Sequence, residues 1–174
     1  MDANHDPLEA LRMEHEGIRD VLNKFEGYLK KAAAAESDEN GNNLINTGAV
    51  VTSSYIANQT FDTMYQIMKR GWNEKQVEAL FPVLGNYIGI ETGPINVMII
   101  EHNHCRDLST GFKSKINDYP SSKDYKSLIG VGSSLSQLLS EHEDKEDNIL
   151  FNMAEMHLTP DEKRNIMEKI LTIK

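Results

Sequence analysis

Leu8, Leu11, His15, Ile18, Leu22, Phe25 and Leu29 follow one another at alternating steps of three and four residues. Such spacing lays one stripe along a helix of 3.6 residues per turn. Asp6, Pro7 and Glu9 supply an N-cap, a first-turn proline and an acidic third position, so the helix starts there and runs to about residue 35. "ESDENGNN", residues 36–43, has no apolar residue and predicts a loop. "LINTGAVVTSSY" fits neither period cleanly. From Ile56 a second stripe emerges: Phe61, Met64, Tyr65, Met68, Trp72, Ala79, Leu80 and Val83, with Gln76 inside it. Pro82 predicts a kink or an end, and residues 85–93 a connector.

Pro94 opens a third helix after Thr92 or Gly93. Its inward face is Ile95, Met98, Ile99, His102, Cys105, Phe112 and Ile116, and "NDYPSS", residues 117–122, predicts a break. The fourth stripe carries Tyr125, Leu128, Leu135, Leu138, Leu139, His142, Glu146, Ile149, Leu150 and Met153. Thr159, Pro160 and Glu162 repeat the opening cap pattern and predict a short fifth helix over 160–172, with Ile166, Ile170 and Leu171 packing back. No segment alternates with a period of two. The expectation is one all-α domain over residues 1–174, an antiparallel four-helix bundle with a short C-terminal fifth helix.

The stripes are apolar except at a few positions. His15, His102 and His142 each fall on a different one, and each follows a glutamate: Glu14, Glu101 and Glu141. Burying three imidazoles and the Glu146 carboxylate without partners is costly, and a metal ion offers all four a partner at once. His142 and Glu146 are four apart, stacked on one helical face, and can reach one ion together. With His102 they make two imidazoles and a carboxylate, a set that suits non-haem Fe(II), leaves positions open for small ligands, and also suits zinc. His15 is a fourth ligand or is held by a hydrogen bond. His5, His104 and His157 lie off these faces and read as surface residues. Cys105 reads as a small buried apolar side chain, and Glu74 and Glu78 as a solvated face.

The remaining properties exclude more than they identify. The 174 residues are 39% hydrophobic and 26% charged, with a net charge of −9. The negative balance argues against binding nucleic acid or anionic lipid. No apolar run approaches the ~20 residues of a membrane span. "MDANHDPLEA" lacks the pattern of a signal peptide, and a single cysteine excludes an internal disulfide. Together these predict a cytoplasmic protein.

"RGWNEKQVEALF", residues 70–81, echoes "SEHEDKEDNILF", residues 140–151: Trp72 aligns with His142 and Gln76 with Glu146. "SEHEDKEDNILF", with "RMEHEGIRDVL", "LFPVLGN" and "GPINVMIIEHNHCRDL", spread over residues 7–156, resembles the hemerythrin-like family of cation-binding four-helix bundles. The resemblance implies a di-iron site in the bundle core, with bridging carboxylates, that binds oxygen or related small molecules. Relatives act as oxygen carriers, as sensors of oxygen, iron or nitric oxide, and in iron–sulfur repair. His15 matches the family's first-helix ligand, His102 the third-helix ligand, and His142 with Glu146 the fourth-helix pair. Where the family places two adjacent histidines and a glutamate, this chain has Trp72, Asn73 and Gln76. The expectation is therefore one ion per chain, most simply iron, used in sensing or handling oxygen, nitric oxide or the metal itself. A metal-free interaction module and a mononuclear iron enzyme are the alternatives.

Overall fold

The computed structural model describes residues 5–36, 59, 62, 73–122 and 124–173. Among the described residues the regular structure is helical throughout, with no strand. Helix α1 spans Pro7–Glu36; α2, residues 73–88; α3, Pro94–Ser122; α4, residues 125–157; and α5, Pro160–Thr172. The stripe from Ile56 to Trp72, the ambiguous segment before it and most of the expected loop lie outside the described residues.

The helix starts follow local chemistry. The Leu8 N–H donates to Asp6 Oδ1 at 2.8 Å, satisfying a donor that has no partner within the first turn. Thr159 and Glu162 form a reciprocal capping box, with Pro160 in the first turn. Asp124 accepts from the Ser127 N–H at 3.1 Å to start α4. Gly89 and Gly93 bracket the α2–α3 connection with φ of 78° and 80°, values that residues with a Cβ rarely adopt.

Two helix ends expected at prolines are corrected. Pro82 does not end α2, which continues to Ile88. A π segment, Gln76–Leu80, precedes it, in which the Phe81 N–H reaches back to the Gln76 carbonyl. That widened turn shifts the hydrogen-bond ladder by one residue, and Pro82 falls at the change of register, where its missing donor disturbs least. The connector is correspondingly shorter than residues 85–93. Likewise, α3 passes through Pro120 and ends only at Ser122; in a final turn a proline withholds one bond without breaking a longer rod.

A second π segment, Glu146–Leu150, interrupts α4. Its extra residue turns Ile149 outward, 51% exposed, against the inward position its spacing predicts, while Leu150 is 1% exposed. In α5 Ile166, Met167 and Ile170 are buried and Leu171 is exposed.

Helix α4 packs along both α1 and α3 and touches α2, while α5 closes over α1 and α2. Two apolar clusters result. One joins Ile18, Leu22, Phe25 and Leu29 of α1 to Cys105 and Phe112 of α3 and Leu128, Leu135 and Leu139 of α4. Phe25 and Phe112 meet edge to face at 5.2 Å. The other joins Leu8 and Leu11 to Leu80, Phe81 and Leu84 of α2, Ile95 and Met98 of α3, Leu150 and Phe151 of α4, and Ile166 and Ile170 of α5. On α1, α3 and α4 a polar position separates the two sets: His15 between Leu11 and Ile18, His102 between Met98 and Cys105, and His142 with Glu146 between Leu139 and Leu150. A polar layer thus divides the core.

Candidate metal centre

The layer is sealed. His15, Gln76, His142, Glu143 and Glu146 are 0% exposed and His102 is 1% exposed. Burial of this many polar groups carries a desolvation cost that only partners can offset.

Glu146 stands at the centre, and its two oxygens face different company. Oε1 lies 3.1 Å from His142 Nε2 and 3.6 Å from His102 Nε2. Ligand atoms of these three side chains lie within 4.8 Å of one another, close enough to share one ion. Both imidazoles favour the ionised form of this carboxylate. Two imidazole nitrogens brought up to one buried carboxylate oxygen have the disposition of donor atoms that converge on a common point. The set fits a divalent cation of the iron or zinc type.

Oε2 is engaged differently. It accepts from Gln76 Nε2 at 2.8 Å and lies 3.0 Å from His15 Nε2. Gln76 Nε2 and His15 Nε2 are 3.5 Å apart. His15 therefore belongs to the polar layer but sits on the far side of Glu146 from the three-residue cluster. Its Nδ1 meets Asp147 Oδ1 at 2.9 Å, placing the imidazole between two carboxylates.

Electrostatics follow from this geometry. Burial disfavours charge on His15, but Asp147 and Glu146 outweigh it and raise its pKa to about 9. His142 is also raised, Glu146 and Glu101 overcoming its desolvation. His102 is lowered, chiefly by burial. Burial would lift Glu146, yet His102, His142 and His15 hold it well below the carboxylate range. Without metal the layer is thus compensated by protons on imidazole, and a cation must compete with them.

Several participants carried no periodic signal in the sequence. Glu143, adjacent to His142, is buried and pushed up to about 7 mainly by desolvation, with Arg19 Nε 3.3 Å from its Oε2. Arg19 also donates to Asp147 Oδ2. Of the three glutamates that precede the inward histidines, only Glu101 reaches a candidate ligand, at 2.9 Å from His142 Nδ1. Glu141 is exposed and bonded by Gln137, and Glu14 pairs with Lys75. His5, His104 and His157 are exposed, whereas Cys105 is buried in the first apolar cluster, its thiol pushed up to about 12 by burial.

The two echoing stretches correspond in structure as well as sequence. Gln76 and Glu146 each begin a π segment. Lys75 pairs with Glu14 of α1, as Lys145 pairs with Glu101 of α3. Phe151 stacks on His15 at 5.4 Å, as Phe81 stacks on His102 at 5.9 Å. The first half (α1, α2) and the second (α3, α4) repeat one scheme, with a neutral amide in one where the other has a carboxylate. Trp72 lies outside the described residues. No protein-family model, no curated protein and no solved structure matches the chain.

Proposed function

We propose that this chain is a hemerythrin-like metal-binding protein, an antiparallel four-helix bundle that holds a single ion through His102, His142 and Glu146. The carrying observation is the buried convergence of ligand atoms from these three side chains, all within 4.8 Å of one another. Gln76 supports a stoichiometry of one: its amide donates to Glu146 Oε2, the oxygen that a second cation would need. Two adjacent divalent cations repel, and a dinuclear site offsets this with bridging carboxylates; among the described residues Glu146 alone lies between the imidazoles.

Iron is the metal that best fits two imidazoles and one carboxylate with positions left open, and zinc the main competitor. A bound iron would supply a site for oxygen or nitric oxide, and sensing or handling of such a ligand, or of the metal, is the role we assign. What the chain itself contributes is a buried enclosure, fixed imidazoles and a neutral amide, Gln76, where a second ion would need a carboxylate. No helix among the described residues is long and apolar enough to cross a membrane.

Elemental analysis of protein purified without added metal, at known protein concentration, tests this directly. About one iron or zinc per chain is expected, lost in His142→Ala and retained in the exposed-site variant His104→Ala. Two ions per chain would overturn the stoichiometry. No metal, with melting unchanged by chelator, would favour an internally hydrogen-bonded interaction module instead.

A further inference from the structure

The candidate ligands are tied to one another through carboxylates that do not themselves join the cluster. Glu101 Oε2 lies 2.9 Å from His142 Nδ1, while its Oε1 receives Lys145 Nζ. Asp147 Oδ1 lies 2.9 Å from His15 Nδ1, while its Oδ2 receives Arg19 Nη2. The two arrangements match: one oxygen to an imidazole, the other to a cation. An ionised carboxylate can only accept, so each Nδ1 must carry the proton and donate it. Nε2 of each ring faces Glu146.

The placement in sequence adds a mechanical consequence. Glu101 is the chain neighbour of His102, and Asp147 of Glu146. Each carboxylate is thus carried by the backbone of one candidate ligand and orients the ring of another on a different helix. Glu101 ties α3 to α4, and Asp147 ties α4 to α1. A displacement of one ligand is passed to the next through a charged hydrogen bond, which is stronger and more directional than a neutral one.

We infer that Glu101 and Asp147 are positioning residues that hold the rings of His142 and His15 with Nδ1–H toward the carboxylate, so that His142, when neutral, is the Nδ1–H tautomer, with Lys145 and Arg19 holding each carboxylate in place. The metal consequence rests on the proposed site; the tautomer consequence does not. Because His142 belongs to the three-residue cluster and His15 lies across Glu146 from it, Glu101 matters more for binding than Asp147.

The test compares wild type, Glu101→Ala, Glu101→Gln, Asp147→Asn and the exposed control Glu141→Gln. Two measurements are made on each. Nitrogen-15 chemical shifts of the neutral His142 ring in metal-free protein report which nitrogen holds the proton. Titration with Co²⁺ alone reports affinity. Wild type should show Nδ1–H, and Glu101→Ala should move the proton to Nε2 and weaken Co²⁺ by about 10–100-fold, as loss of a ligand's outer partner generally does. Glu101→Gln keeps an acceptor oxygen and should fall between. Asp147→Asn should weaken Co²⁺ less than Glu101→Ala does, and Glu141→Gln should do nothing. If Glu101→Ala does not fold, Glu101→Gln carries the comparison. An Nε2–H wild type, or a tautomer unchanged by loss of Glu101, overturns the inference. Wild type that binds no Co²⁺ but holds Nδ1–H, lost in the Glu101 variants, sinks the metal reading and leaves the positioning intact.

Discussion

Gln76 differs from glutamate by one amide, and its consequences are local and large. Its side-chain N–H reaches from α2 to donate to Glu146 Oε2 at 2.8 Å. Gln76→Glu would set a second carboxylate against the first in a site closed to water. The metal-free variant should lose on the order of 3 kcal/mol at neutral pH, the scale of breaking a buried pair. Denaturant unfolding checks this, and added divalent metal should restore the loss while raising capacity above one ion. Titration behaviour belongs to the same scale. His15 is raised from 6.5 to about 9, so its contribution is complete below pH 6.5 and lost as pH rises through 9. Glu143 is raised from 4.5 to about 7, so ionising it in the fold also lowers stability as pH rises across that range. Glu101 and Asp147 are lowered and add stability only as pH climbs out of the acid range. The melting temperature of metal-free protein should therefore peak near pH 5 and fall by pH 9. A profile flat from pH 5 to 9 would contradict these assignments.

Elements were legible where their signals are local. Asp6–Pro7, Pro94 and Thr159–Pro160 mark helix starts because capping and proline chemistry act within a few residues. His15, His102, His142 and Glu146 stood out because polar residues interrupt apolar stripes, and all four are buried in one layer. The π segments were not legible: a fixed 3.6-residue period assigns Ile149 inward, and one inserted residue turns it out. Asp147, next to Glu146, was missed for the same reason, since a regular helix separates neighbours by about 100°. Arg19 and Glu143 sit beside a stripe rather than on it, and only their contacts across helices identify them. Deleting Ile149 should restore a plain α turn, keep the far-UV helical signal, and rotate His142 and Glu146 away from the register set by Phe151. Metal content should fall sharply while helicity changes little. A more conservative probe is Gly132→Ala: its Cβ would lie 2.8 Å from Phe112 Cε2 and 3.1 Å from Leu29 Cδ2. The strain should cost about 1–3 kcal/mol in a thermal or denaturant melt, with metal binding kept.

Across the whole molecule, two apolar clusters are separated by a layer that adds little stability of its own. Buried ionic groups are often no better for stability than packed hydrophobic residues of similar size. Converting His15, Gln76, His102, His142, Glu143 and Glu146 together to apolar residues of fitting volume should leave the melting temperature unchanged or higher and abolish metal binding. Single removal of Glu146 should instead destabilise by about 3–5 kcal/mol, because it strands its partners. That contrast distinguishes a layer kept for chemistry from one kept for folding.

The complete enclosure of His102, His142 and Glu146 also bears on time. Nothing in solvent touches these side chains, so an ion held there leaves only when helices part. Opening free energies in folded proteins range up to the global stability, and the corresponding rates are set by the protein. Removal by a chelator should therefore become independent of chelator concentration once capture outpaces reclosing. Below that plateau the rate should scale with chelator, and mild denaturant should raise the plateau. An ion bound there would be held by a clock as much as by an affinity, and released at the rhythm of the chain's own breathing.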